Sequence, residues 1–124
     1  MKPPLILAAL LAATASPLAA QAPAAPQPDL VRVALETDLG KITVALDRGR
    51  APLTTANFLA YVDKGWLTGQ PFYRAMPYGD GGLIQGGVRD GAKQLPPIAI
   101  ETTATTGLGN KAGAIVMANG GPGT

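Results

Sequence analysis

The chain has 124 residues, of which 47% are apolar and 15% charged, with ten basic side chains against eight acidic ones. It contains neither cysteine nor histidine, which excludes disulfide staples, a histidine triad or general base, and an imidazole metal site within these residues. The excess of two positive charges is scattered rather than clustered, so the electrostatic footprint of a nucleic-acid or anionic-membrane binder is missing.

In chain order, Met1 to Ala20, MKPPLILAALLAATASPLAA, comes first. Lys2 gives a short positive start, Leu5 to Ala15 an apolar run, and Leu18-Ala19-Ala20 a small-residue cleavage site. That layout predicts a secretory signal peptide over residues 1–20, cut after Ala20 with Ala22 as a second site, and hence a periplasmic protein. A membrane anchor is the competing reading. The uncharged stretch from Pro3 to Pro28 is long enough, but its six prolines and short apolar core argue against stable insertion after cleavage. Residues 21–29, opening QAPAAPQP, read as an extended Pro/Ala-rich linker.

Residues 30–124 are left for one domain. In Val31 to Thr37, VRVALET, apolar and polar residues alternate, which predicts a half-buried strand. Turn chemistry at Asp38-Leu39-Gly40 and a second alternation in Lys41 to Leu46, KITVAL, make the pair a β-hairpin. The period then changes. Pro52 suits a first helical turn, Leu53, Ala56, Leu59, Ala60 and Val62 fall mostly on one helical face, and Gly65 can cap the end. Asn57 lies near that face, where its amide needs backbone partners, and Tyr61 and Trp66 flank the helix end as packing residues. Short strands are expected at Phe72 to Met76, Leu83 to Gln85, Ile98 to Ile100 and Gly113 to Ala118, separated by glycine-rich turns. The sum is a mainly β, antiparallel fold, with a barrel capped by the helix favoured because closure hides strand edges.

Single features here have ordinary explanations. An arginine on a strand is commonly a surface charge, Gly86-Gly87 a tight turn and Asn119-Gly120 a loop tip. Together they say more. ETDLGKITVAL followed by APLTTANFLAYVDKG, then PFYRAMP, LIQGG and GAIVMANGGPGT, in that order, resemble the cyclophilins, the cyclosporin-binding class of peptidyl-prolyl cis–trans isomerases. The resemblance runs from about Val31 to Thr124. It implies an eight-stranded antiparallel barrel capped by helices, with Arg74 as the catalytic arginine and Gln85 as the glutamine that orients substrate and arginine. It further implies that Leu83 lines the proline pocket, that Ala118, Asn119 and Gly120 bind the peptide ahead of the proline, and that Phe72 is a core aromatic. The partners implied are proline-containing segments of unfolded or exported proteins and cyclosporin-like ligands. No cofactor and no metal is implied.

The chain also departs from that pattern. Tyr73 stands in the place of a histidine, Gly82 in that of a pocket phenylalanine, and Leu83 in that of a methionine. The last is a volume-conserving change, whereas Gly82 leaves a pocket wall open unless Tyr78 refills it. The sequence stops at Thr124, before the family's QFFI-like strand. The expectation is therefore an incomplete barrel without its C-terminal third.

The chemistry needs none of the missing residue types. Amide resonance gives the Xaa–Pro bond a barrier of roughly 18–20 kcal/mol, and its rotation breaks no covalent bond. A donor that meets the prolyl nitrogen only when the amide is twisted, and its lone pair has returned, favours the transition state over both planar isomers. A fixed guanidinium at Arg74 would be such a donor. Two functions stay open: an isomerase that speeds the folding of exported proteins, and a noncatalytic proline-peptide binding module or inactive fragment of the same fold.

Overall fold

The computed structural model describes Ala25 and residues 27–119. The expected signal peptide, most of the linker and Gly120 therefore lie outside the described residues. The elements are β1 (Leu30–Thr37), β2 (Gly40–Asp47), α1 (Pro52–Asp63), β3 (Phe72–Tyr78), β4 (Gly81–Gly86), a 3-10 turn at Gly91–Lys93 and a single helical turn, α2 (Thr103–Thr106).

β1 and β2 form an antiparallel hairpin in which Val31 faces Leu46, Val33 faces Val44 and Leu35 faces Ile42. Directly opposed residues share a face, so the two predicted alternations merge into one apolar stripe. The loop at Asp38-Leu39 is held by Thr37, whose hydroxyl donates to Gly40 O at 2.7 Å and accepts from Leu39 N at 3.2 Å. Gly40 holds φ +133° there, a conformation that side chains avoid. Beyond β2, Asp47 ties three pieces of chain together. Its carboxylate accepts from Arg50 Nε at 2.6 Å, Arg50 N at 3.0 Å and Asp29 N at 3.3 Å. Arg48 N donates to Asp29 O at 2.7 Å beside it. The segment at residues 27–29 crosses so close to Gly49 that a Cβ there would collide with Gln27 O; glycine is what lets the chain pass.

α1 begins with Pro52 at its start and with Ala51 as a cap residue that offers no side-chain acceptor. Glu101 supplies the acceptor from far along the chain: its two carboxylate oxygens take Leu53 N at 3.0 Å and Thr54 N at 2.8 Å. At the other end Gly65 N donates to Val62 O at 2.9 Å and Trp66 N to Tyr61 O at 3.1 Å, with Gly65 at φ +65°. This is the Schellman arrangement, and its apolar contact is present as well. The Tyr61 and Trp66 rings meet edge to face at 5.9 Å, in keeping with the packing role expected of them. The predicted helix face is only partly covered. α1 packs against β2, yet Leu53 is 47% exposed and the most buried helical residue is Thr55 at 3%. A two-stranded ribbon is too narrow to cover a whole helical stripe.

β3 and β4 form the second antiparallel hairpin, joined through Gly79-Asp80 with Gly79 at φ +58°, as a tight loop with glycine in its first position permits. The closed eight-stranded barrel is not what the described residues build. They form two separate two-stranded sheets, so the fold is mainly β with few helices and without closure. The strands expected at Ile98 to Ile100 and Gly113 to Ala118 run as irregular chain. Pro96 and Pro97 remove two ladder donors immediately before the first, and neither stretch joins a ladder. Among the described residues Leu46 is the one large apolar side chain that is buried, at 7% exposure. The faces of the two hairpins are thus half-covered rather than sealed in a core.

Both anchoring carboxylates titrate low. Burial pushes Asp47 up, but the hydrogen bonds from the Arg50 side chain, Arg50 N–H and Asp29 N–H outweigh it and hold the group below its ordinary 3.8. Burial likewise raises Glu101, and the Thr54 and Leu53 N–H groups with the Thr54 hydroxyl bring it below its ordinary 4.5. A carboxylate depressed in the folded state stabilises above its unfolded value and loses that contribution as pH falls through its folded value. Thermal stability is therefore expected to be flat from neutral pH down to about 5 and to fall progressively below about 4. A melting temperature that does not fall as pH drops below about 4 would contradict the two anchors.

Candidate active site on the second hairpin

The β3–β4 ribbon brings together three of the residues singled out in the sequence. Arg74 faces Gln85 and Met76 faces Leu83, with the Ala75–Ile84 pair between them, and residues two apart on a strand share a face. Arg74, Gln85, Met76 and Leu83 therefore stand on one side of the ribbon. Arg74 Nη1 donates to Gln85 Oε1 at 3.4 Å, a long bond that orients the guanidinium without consuming its other N–H groups. Arg74 is exposed and Gln85 half-buried, so a substrate can reach the remaining guanidinium donors.

The register is irregular at the start of β3. Phe72 faces Gly86 while Arg74 faces Gln85, which leaves Tyr73 as the extra residue of a β-bulge. Bulges turn a strand and re-aim the side chain beside them, and here that side chain is Arg74. The Arg89 guanidinium lies 5.0 Å from the centre of the Tyr73 ring. Phe72 is 47% exposed, packed beside Gly86 where an added Cβ would stand 3.0 Å from the ring. The sequence reading of Phe72 as a core aromatic is thus met only in part, since among the described residues no other element packs over the ribbon.

Towards the hairpin tip, Ala75, Met76, Pro77, Gly82, Leu83 and Ile84 border a shallow, largely apolar concavity of about 520 Å³. Leu83 lines it, and the Arg74–Gln85 rung lies one step beyond its Ala75–Ile84 border and two steps from Leu83. Gly82 contributes no wall, and a Cβ there would sit 3.3 Å from Met76 O. Tyr78 does not refill the gap: it is 69% exposed and is not among the lining residues. The concavity begins at the Ala75–Ile84 rung, next to Arg74–Gln85, and neither Arg74 nor Gln85 is part of its lining.

Ala118 and Asn119 lie at the end of the irregular chain that follows β4. No hydrogen bond joins them to the β3–β4 ribbon among the described residues, and the third member of that trio, Gly120, lies outside the described residues. The segment reaches α1 instead, where Asn57 Nδ2 donates to Met117 Sδ at 3.9 Å, a sulfur partner in place of the backbone partners expected for that amide. Sequence reasoning missed Glu101 altogether. No local pattern marks it, because its partners lie 47 and 48 residues away. Among the described residues no group of three or more acidic side chains could hold a metal ion, and no helix is long and apolar enough to cross a membrane.

Comparison with known proteins places these features in context. The family pattern "Cyclophilin type peptidyl-prolyl cis-trans isomerase/CLD" matches residues 32–124. Peptidyl-prolyl cis-trans isomerase A of Dickeya dadantii (strain 3937) is 38% identical over 117 residues, covering 91% of this chain and 58% of that protein. The peptidyl-prolyl cis-trans isomerase of Acinetobacter baylyi is 33% identical over 91 residues, 69% of this chain and 45% of the relative. Peptidyl-prolyl cis-trans isomerase cyp18 of Streptomyces antibioticus is 36% identical over 87 residues, 69% and 51% of the two chains. The chain thus spans about half the length of the curated relatives it matches. No solved structure matches it.

Proposed function

This chain belongs to the cyclophilin-type peptidyl-prolyl cis-trans isomerase family, and from that premise we propose that it accelerates rotation about Xaa–Pro bonds, with Arg74 as the donor that stabilises the twisted amide. The observation that carries this reading is the Arg74–Gln85 rung, 3.4 Å across, one step from an apolar concavity. In the planar isomers the prolyl nitrogen lends its lone pair to the carbonyl and accepts nothing. As the bond twists, the lone pair returns and a guanidinium N–H can donate to it, so the interaction strengthens only on the way to the barrier top. Gln85 keeps the guanidinium plane turned toward that position, and Leu83 with Met76 holds the ring. Ala118, Asn119 and Gly120 contribute backbone groups to the peptide ahead of the proline.

Substrates in this reading are proline-containing segments of exported proteins, and cyclosporin-like cyclic peptides are ligands of the same site. Met1 to Ala20 acts as a signal peptide and the mature protein works in the periplasm, supported by the charge, apolar run and small-residue site in that segment. The intact mass of protein recovered from the cell envelope tests export: mature protein starting at Gln21 is expected, and a protein retaining Met1 to Ala20 would overturn it.

Gly82 favours a second reading, a noncatalytic proline-peptide binding module, because it leaves one side of the concavity bare. Exchange spectroscopy on a short Ala-Ala-Pro-Phe peptide separates the two. The isomerase reading expects cis–trans exchange in seconds or less with catalytic protein present, against the uncatalysed tens of seconds or more. Peptide binding without accelerated exchange would leave the binding module in its place.

A further inference from the structure

Leu53, Asn57 and Tyr61 of α1 follow one another at intervals of four residues, so they lie in one stripe along the helix. All three are met by the chain that follows β4. Glu101 closes on the N–H groups of Leu53 and Thr54 at 3.0 and 2.8 Å. Tyr61 Oη accepts from Leu95 N at 2.8 Å, and Asn57 reaches Met117 Sδ at 3.9 Å. Between the end of β4 and Asn119 the chain has no strand ladder of its own, so these contacts are what fix its course against the rest of the molecule. Glu101 provides the strongest of them. Its bonds are charge-assisted, they fall where the helix dipole favours an anion, and nothing competes: Ala51 has no acceptor and the first turn carries no acid.

We propose that Glu101 is a positioning residue for proline-peptide binding: by clamping its segment onto the start of α1, it sets where Ala118 and Asn119 stand to receive the peptide. This rests on the reading of Ala118 and Asn119 as the peptide-binding edge. Asn57 and Met117 deliver the effect, since Met117 is held on the same helical stripe and immediately precedes Ala118. Removing the clamp leaves the Arg74–Gln85 rung untouched, because among the described residues β3 and β4 pair only with each other. The signature is therefore weaker peptide binding with the peptide-saturated exchange rate retained.

The test titrates Ala-Ala-Pro-Phe into the full chain by NMR and measures cis–trans exchange at saturation, for wild type, Glu101→Ala and Glu101→Gln. Glu101→Ala is expected to raise Kd about tenfold, in line with the loss of one charge-assisted hydrogen bond. Glu101→Gln recovers part of it, because its amide oxygen still accepts an N–H. A merely structural role gives a different pattern, in which unfolding lowers the number of binding sites and leaves their Kd unchanged. That pattern, or a Kd in Glu101→Ala equal to wild type, overturns the proposal. Should wild type bind the peptide without accelerating exchange, the isomerase reading fails while the Kd series still decides the role of Glu101. Should wild type not bind the peptide, both fall.

Discussion

Replacing Arg74 with alanine is expected to lower the peptide-saturated isomerisation rate by about 10²–10³-fold, the range seen when one preorganised donor to a transition state is removed, with little change in Kd. The split follows from the chemistry of the amide. A planar prolyl nitrogen has no available lone pair, so Arg74 gains nothing from it in the bound ground state. An interaction made only at the barrier top appears in kcat and not in affinity. The variant should fold normally. Arg74 is exposed on its ribbon, its ladder bonds come from the backbone, and surface substitutions of this kind usually stay within about 0.5 kcal/mol. Equal losses in affinity and in saturated rate would instead make Arg74 a peptide-binding group, as the noncatalytic reading requires.

The largest effect on stability is expected at Asp47. Its carboxylate is 6% exposed and serves Arg50 Nε, Arg50 N and Asp29 N together, so Asp47→Ala strands three donors at the junction of β2, the following loop and the incoming N-terminal segment. Two of the donors are backbone groups with few alternatives, whereas the Arg50 side chain is 31% exposed and can return to water. That partial exposure reduces the penalty, which comes to about 2–3 kcal/mol. Against a total stability of about 5–15 kcal/mol, this is a large fraction. It corresponds to a fall in melting temperature of about 10 °C or more for a domain of this size. Asp47→Asn keeps a short polar acceptor and should lose less. A melting temperature for Asp47→Ala within about 2 °C of wild type, well under 1 kcal/mol, would show that the junction is held by other contacts.

The parts of this protein that were legible in the sequence are those whose physics is local. The alternations at Val31 to Thr37 and Lys41 to Leu46 predicted the first hairpin to within one residue at each end, because a half-buried strand has to alternate. Pro52 and Gly65 marked the limits of α1 for equally local reasons, a free first-turn N–H and a left-handed cap. The Arg74–Gln85 rung was within reach of motif reading, since a tight turn at Gly79-Asp80 fixes which residues of β3 and β4 oppose each other. The bulge at Tyr73 was not, because an unpaired residue leaves no mark in the apolar pattern.

Non-local physics accounts for the remainder. Ile98 to Ile100 and Gly113 to Ala118 have strand-like composition, but a strand exists only where a second one completes its ladder, and composition does not supply the partner. The basic residues are scattered along the sequence with nothing to single out Arg50, yet it is partly buried against Asp47. Glu101 carried no signal in the sequence, and what makes it an anchor is the start of a helix nearly fifty residues earlier. Charged groups take their roles from the partners that folding brings to them, which a one-dimensional reading does not contain.

The claim at the centre of this account is that a guanidinium, and not merely a positive charge, meets the twisted prolyl nitrogen. Arg74→Lys tests it most directly, by the peptide-saturated exchange rate of Ala-Ala-Pro-Phe measured beside wild type and Arg74→Ala. Lysine keeps the charge but loses the rigid planar fork that lets one N–H engage Gln85 while others point at the substrate. The predicted result is a rate close to that of Arg74→Ala. A rate restored to the wild-type value would mean that charge alone suffices, and would contradict the assignment of the Arg74 guanidinium as an oriented donor.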